Sequence, residues 1–326
     1  MVFFQRVKRK LKSYRNDISF FLGKSYKKVH PKRRNRILMY HGVCDRQNPF
    51  NQRHCYIKDF ENQIRYLSKS ANIVSLEDFF LGKFDPDRAN VAITFDDGYL
   101  NNLTLAAPVL LKYHAKASVY VTGLHQTCHP YIWADFLQIV ARTPPKKFVL
   151  AGESYCSGNG KIVRESDKRS LLDIIKTEKP DWAFKEIFFE TMLRDFQTIA
   201  DSNKIFWQLM SEDQIREISS IPGITIGSHG YYHNNLGRLS TANALEEVKQ
   251  SKRYLENLIQ APVNELAFPD GSYTIELVNA AKREGFRFQL ATEKLNQPED
   301  SYEVAIKSRS GIYQSGSWAN QLIFPE

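Results

Sequence analysis

Apolar residues along this chain follow two alternating rhythms. Short runs have the length and composition of buried strands: Ile37-Leu38-Met39-Tyr40, Asn90 to Phe95, Ala117 to Val121, Ile224 to Ile226, Glu265 to Phe268 and Phe286 to Ala291. Between them Phe60, Ile64 and Leu67 recur at helical spacing, and Pro108 to Tyr113, Asp213 to Ile218, Thr241 to Leu258 and Ile275 to Glu284 also read as helices. Strand and helix alternating in this way predict an α/β fold. Residues 141–206 break the rhythm. They are charged, helix-prone and rich in Phe and Lys, with a Gly-Asn-Gly turn at 158–160, and they read as an insertion into a domain spanning 36–326.

The tail, 1–35, has a pattern of its own. Phe4, Val7, Leu11, Tyr14, Ile18 and Phe21 would line one face of a helix, with most of the cations elsewhere. Such a helix either lies in the headgroup layer of an anionic membrane or packs its stripe on the body of the protein. Charge sharpens this picture. The formal net charge is +9, yet residues 1–36 hold thirteen basic side chains and one acid, so the remainder carries about −3. A net-negative body disfavours a nucleic-acid partner. The sequence shows no apolar stretch of membrane-spanning length and no secretion-signal core, and its four cysteines lack CxxC spacing. The expectation is a cytoplasmic protein with reduced thiols, peripheral on the inner face of the cytoplasmic membrane if the tail binds there.

The sharpest local signal is Ile93-Thr94-Phe95-Asp96-Asp97-Gly98-Tyr99, an apolar strand running into two adjacent carboxylates and a glycine. Loops at the carboxyl ends of α/β strands hold active sites, and paired acids there repel unless a cation or a shared proton relieves them. The plainer alternative is an acidic turn capping the next helix. Two His-x-x-x-His pairs offer further metal ligands. His229 and His233 follow a strand through Gly227-Ser228, and with one carboxylate they would make a His₂Asp site for Zn²⁺ or a similar ion. His125 and His129 sit in a polar loop with Cys128 and read as adventitious ligands at most.

Thr94 to Tyr99 and Ser228-His229-Gly230-Tyr231-Tyr232-His233 resemble the first two motifs of the NodB-homology polysaccharide deacetylases, carbohydrate esterase family four. The resemblance runs from Ile37 to about Ile312, apart from the insertion. It implies a deformed (β/α) barrel and removal of acetyl groups from amino sugars with a divalent metal, Zn²⁺ foremost and Co²⁺ or Ni²⁺ as alternatives. Carried over residue by residue, it implies Asp96 as general base and Asp97, His229 and His233 as metal ligands. The backbone N–H of Tyr99 would then face the amide oxygen as negative charge develops on it.

Two departures stand out. Most of the family takes its general acid from a late Leu-x-Ile-x-His motif, but no histidine follows His233. Ile37-x-Met39-x-His41, continued as Met-Tyr-His-Gly-Val, is similar to that motif and to the poly-N-acetylglucosamine deacetylase branch, which implies His41 as the acid in a permuted barrel. The third motif, normally Arg-x-Pro-aromatic-Gly, stands here as Ala267-Phe268-Pro269-Asp270-Gly271, without its arginine. Pro269 and Tyr99 are expected on the substrate side. Arg309 is expected there too, either reaching Asp96 from the last strand or forming a surface salt bridge. Asp270 in place of the aromatic suggests a more polar wall. The first function expected is a metal-dependent deacetylase of an N-acetylated sugar in a polysaccharide or glycan precursor. The alternatives are a deformylase or deacetylase of a lipid-linked or nucleotide-linked sugar, and a catalytically silent glycan-binding homologue.

Overall fold

The structure is a computed structural model that describes residues 35–142, 146–158, 160–314 and 317–322, together with Arg15, Ile18 and Leu22. Its centre is a curled parallel sheet. The strands are β1 (Arg36–Tyr40), β4 (Ala71–Ile73), β5 (Ala89–Phe95), β6 (Ala117–Val121), β10 (Ile224–Ser228), β11 (Glu265–Ala267), β12 (Phe288–Leu290) and β13 (Ser310–Gly311), with two-residue strands β2 (Val43–Cys44) and β3 (Cys55–Tyr56) paired alongside. The order is β12-β11-β10-β6-β5-β1-β13, and β4 pairs with β5. Every residue of β5 and β6 is buried, as expected for parallel strands covered on both faces.

Helices form where the apolar spacing is helical. In α1 (Ile57–Ser70), Phe60, Ile64 and Leu67 turn inward; α2 (Leu76–Phe80) and α3 (Ala107–Lys112) follow, α3 entered through a π-helical turn, Asn102–Ala106. The capping box of Ser211 and Gln214 starts the helix Glu212–Ser219, and Ser240 caps Thr241–Ile259. The short segment before β13 joins both ends of the sheet. Lys307 bridges Leu290 of β12, while Ser310 and Gly311 pair with Leu38 and Met39 of β1.

The region read as an insertion holds strands as well as helices. Three antiparallel strands, β7 (Lys146–Leu150), β8 (Glu153–Gly158) and β9 (Lys161–Arg164), precede α5 (Leu171–Thr177) and α6 (Trp182–Ser202), with α4 (Trp133–Ala141) packed against them. These elements share a hydrophobic cluster that includes Trp133, Phe136, Tyr155, Phe188 and Phe189. The packing unit therefore begins nearer Tyr131 than residue 141. The helical expectation missed the strands because their outward positions carry Lys146, Lys147 and Lys161, which blur a period of two.

Most of the tail lies outside the described residues, including five of the six positions of its apolar stripe. The sixth, Ile18, is exposed, as is Leu22, whose N–H donates to the Ile18 carbonyl. Among the described residues no helix is long and apolar enough to cross a membrane. All four cysteines are unpaired.

Candidate active site

Parallel strands bring their carboxyl ends to one rim, and the chemistry-bearing residues collect there. Asp96 and Asp97 follow β5, His229 follows β10, His41 follows β1 and Asp270 follows β11. The register enforces their meeting: Asp96 N–H donates to the Tyr40 carbonyl at 3.0 Å, and His229 N–H to the Val121 carbonyl at 3.0 Å. Asp97 and Gly98 both take positive φ, 75° and 74°, which turns the chain sharply after the strand. A Cβ at Gly98 would stand 3.3 Å from Val121 Cα, so a side chain there would push β6 aside. Together these loops line a cavity of about 360 Å³.

Asp97, His229 and His233 form the one group of three such ligands among the described residues whose donor atoms lie within 4.8 Å of one another. Asp97 Oδ1 stands 3.4 Å from His229 Nε2 and 3.2 Å from His233 Nε2. It is buried without a hydrogen-bond partner. His229 Nδ1 is 2.8 Å from the Ala267 carbonyl, so that nitrogen carries the proton and Nε2 presents its lone pair to Asp97. A buried, unsatisfied carboxylate oxygen faced by an imidazole lone pair is the donor set a divalent cation completes. Burial opposes charging His229, but Asp96 and Asp97 outweigh it and raise its pKa, and Asp97 is held well below the carboxylate range against its own burial by the two histidines.

Asp96 has a different partner. Arg309 Nη1 and Nη2 donate to its two carboxylate oxygens at 2.6 and 2.8 Å, and Arg309 Nε donates to the Ala291 carbonyl. Burial alone would raise the Asp96 pKa; Arg309 reverses it and holds the group ionised. The Arg309 side chain is fully buried, so the surface salt bridge is excluded, and it stands behind Asp96 rather than on the cavity wall. Its expected place on the substrate side is corrected accordingly: four of its five N–H donors go to Asp96, Ala291 and Thr94. Pro269 is likewise buried beside Gly230 and does not line the cavity, because its turn projects Asp270 instead.

His41 lines the cavity, with Nε2 3.0 Å from Arg53 Nη1. Arginine can only donate, so Nε2 accepts and the ring is neutral. Burial first, then Arg53, lowers its pKa to about 4. Asn102 Nδ2, at the start of the π-helical turn, holds the His41 carbonyl at 2.7 Å. Tyr99 also lines the cavity, and its hydroxyl donates to Asp135 Oδ2 at 2.5 Å. Its stretch of chain bridges to Leu209 through Leu100 N–H and Met210 N–H, a pairing that does not use the Tyr99 N–H.

Several residues of the cavity and its supports gave no sequence signal. Asp135, from α4, receives Asn51 Nδ2 at 2.7 Å besides Tyr99, and burial pushes it to about 7. Lys176 on α5 pairs with Asp270 at 2.7 Å. Lys185 on α6, fully buried, donates to Asn234 Oδ1, and Asn234 in turn donates to Glu247, which also receives the N–H of Tyr232. The loop between the two histidines is thus braced from the inserted region. His125 and His129 form no such cluster; the His129 ring stacks on Phe189 at 5.3 Å.

Comparison with known proteins identifies the family. The family model described as polysaccharide deacetylase matches residues 83–142 and 187–289. The chain belongs to that family. The Bacillus subtilis protein YxkH, which carries the polysaccharide deacetylase name, is 21% identical over 266 residues. That match covers 79% of this chain and 64% of YxkH, so the chain spans less than two thirds of that relative. Among solved structures, the Streptococcus pyogenes deacetylase PplD, determined with acetate, aligns with a TM-score of 0.57 at 18% identity, covering 89% of this chain and 98% of that one. IcaB from Ammonifex degensii aligns at 0.54 and 17%, covering 89% and 96%. These likenesses establish the polysaccharide deacetylase fold, the deformed (β/α) barrel that the strand order describes. Family members hydrolyse N-acetyl amide bonds of saccharides and generally depend on a metal. The interruption of the family match falls at 143–186, within the inserted region.

Proposed function

We propose that this chain is a divalent-metal-dependent deacetylase acting on an N-acetylated amino sugar in a polysaccharide or glycan precursor. The observation that carries the reading is the juxtaposition, in one cavity, of the Asp97–His229–His233 donor set with Asp96 held ionised by Arg309. Asp97, His229 and His233 would hold the cation, with Zn²⁺ preferred and Co²⁺ or Ni²⁺ as alternatives. Bound there, it supplies Lewis acidity toward the amide oxygen and acidifies water.

The remaining work falls to the protein's own groups. Asp96 takes the proton of the attacking water, its two oxygens fixed in direction by the guanidinium fork. The Tyr99 N–H serves the developing oxyanion. His41 passes a proton to the departing amine; as it rests neutral, it gains that proton only in the substrate complex, where Arg53 must release Nε2. A precursor sugar joined to phosphate is a second reading, favoured by Arg142 on the cavity wall. Exposed Ile18 and Leu22, within a basic tail, support peripheral contact with an anionic membrane at the cytoplasmic face.

The test is to load the metal-stripped chain with Zn²⁺ or Co²⁺ and incubate it with N-acetylated oligosaccharides and with lipid-linked and nucleotide-linked sugars. Loss of one acetyl mass with release of an amine is expected, abolished by Asp96→Asn with the metal still bound. A chain that binds neither ion ends the reading.

A further inference from the structure

Asp270 is placed as though a ligand were missing from it. It sits in the left-handed region at φ 54°, in the turn after β11, and lines the same cavity as Asp96 and Asp97. Lys176 occupies Oδ1, whereas Oδ2 is buried and has no hydrogen-bond partner. Leaving a buried carboxylate oxygen unsatisfied is costly, so its retention beside a catalytic cavity points to an external donor. Lys176 reaches it from α5, so the inserted region fixes which oxygen remains free.

Arg53 is the complementary group. It lines the same cavity, gives Nη1 to His41, and Asp270 is foremost among the charges that favour its ionised form. Its guanidinium carries five N–H donors, more than one histidine can use. The cavity lining therefore presents both an acceptor-only carboxylate oxygen and a donor-only guanidinium. An anionic ligand would suit Arg53 and be repelled by Asp270; an ammonium would do the reverse. A hydroxyl, which donates and accepts at once, satisfies both.

We propose that Asp270 Oδ2 and Arg53 bracket one hydroxyl of the sugar that carries the acetamido group, Asp270 accepting its proton's hydrogen bond and Arg53 donating to its oxygen. This makes Asp270 a specificity-determining residue, with Lys176 positioning it. The inference rests on the deacetylase reading. It concerns the substrate's ring substituents and is independent of which metal is bound.

The experiment pairs enzyme and substrate deletions. The metal-loaded full chain is assayed for acetate release from penta-N-acetylchitopentaose and from its 3-deoxy and 6-deoxy analogues. Wild type is expected to lose about 10- to 100-fold in kcat/KM on one analogue, the worth of a hydrogen bond to a charged group. Asp270→Ala should lose a similar factor on the parent and nothing further on that analogue, which a merely structural role would not produce. Lys176→Met should lose less and keep the discrimination. Should Asp270→Ala fail to fold, Asp270→Asn carries the same comparison. Unchanged discrimination in the Asp270 variant overturns this inference and leaves the deacetylase reading standing. No acetate with wild type from any of the three substrates, nor from the lipid-linked and nucleotide-linked sugars, overturns both.

Discussion

Replacing Arg309 with methionine tests the central claim about Asp96. The guanidinium makes two hydrogen bonds to that carboxylate, at 2.6 and 2.8 Å, and a third to the Ala291 carbonyl, with both side chains buried. Removing one partner of a buried ion pair costs about 3–5 kcal/mol, and the orphaned Ala291 carbonyl adds about 1 kcal/mol. A loss of roughly 4–6 kcal/mol on urea unfolding of the metal-free chain is therefore expected at pH 7.5. Asp96→Asn alone should cost about 3 kcal/mol, and the double variant should recover at least about 2 kcal/mol of the summed losses. The pH dependence adds a second constraint. In wild type the Asp96 pKa lies below its unfolded value, so the pair's contribution is present above the unfolded value and disappears only as pH falls through the folded one. In Arg309→Met burial loses its largest opponent, leaving only His229 and His41 against it, and that pKa rises, so lowering the pH from 7.5 toward 4 relieves the buried charge and should narrow the gap to wild type. Additive losses, within about 0.5 kcal/mol, together with a gap that does not change with pH, would refute the argument.

Other consequences can be measured separately. His233→Ala should weaken Co²⁺ or Zn²⁺ binding by at least about tenfold in calorimetry, because it removes one of three clustered donors. Lys185→Met should loosen the loop carrying His233 through Asn234 and alter the visible spectrum of the Co²⁺-loaded chain, whereas Phe188→Leu, on the same helix, should lower stability and leave the spectrum alone. Glu265, buried and held to about 7 against an ordinary 4.5, costs stability as pH rises between those values; Glu265→Gln should gain up to about 3 kcal/mol relative to wild type from pH 4.5 to 7.5, read from denaturation midpoints. Arg53→Met should raise the His41 pKa above about 4 yet short of 6.5, since burial is the larger cause, and a proton NMR titration of the ring reads it directly.

The parts of the site legible in the sequence were those written into contiguous strand ends. Asp96 and Asp97 follow seven buried residues of β5, and His229 follows β10, so the apolar run itself announces the turn that presents them. The rest is made by contacts between distant residues. Arg309 lies 213 positions from Asp96, and β13, the strand that follows it, has only two residues, too short for any periodicity to show. Asp135, Lys176 and Lys185 all come from elements whose helical faces are explained by their own hydrophobic cluster, and nothing local marks the first two as facing the cavity or the third as bracing the histidine loop. Arg53 sits in a loop where a single cation carries no pattern at all.

The segment that bridges the two ends of the sheet also carries the partner of Asp96. Lys307, Ser310 and Gly311 join β12 to β1, and Arg309 lies between them. Closing the barrel and arming Asp96 are consequently one structural event. The donors Asp97, His229 and His233 are all present by residue 233, but Ala267, whose carbonyl orients His229, and Arg309, which holds Asp96, follow later, the last of them roughly 75 residues on. On the proposed reading, catalytic competence is in this sense a readout of completed folding.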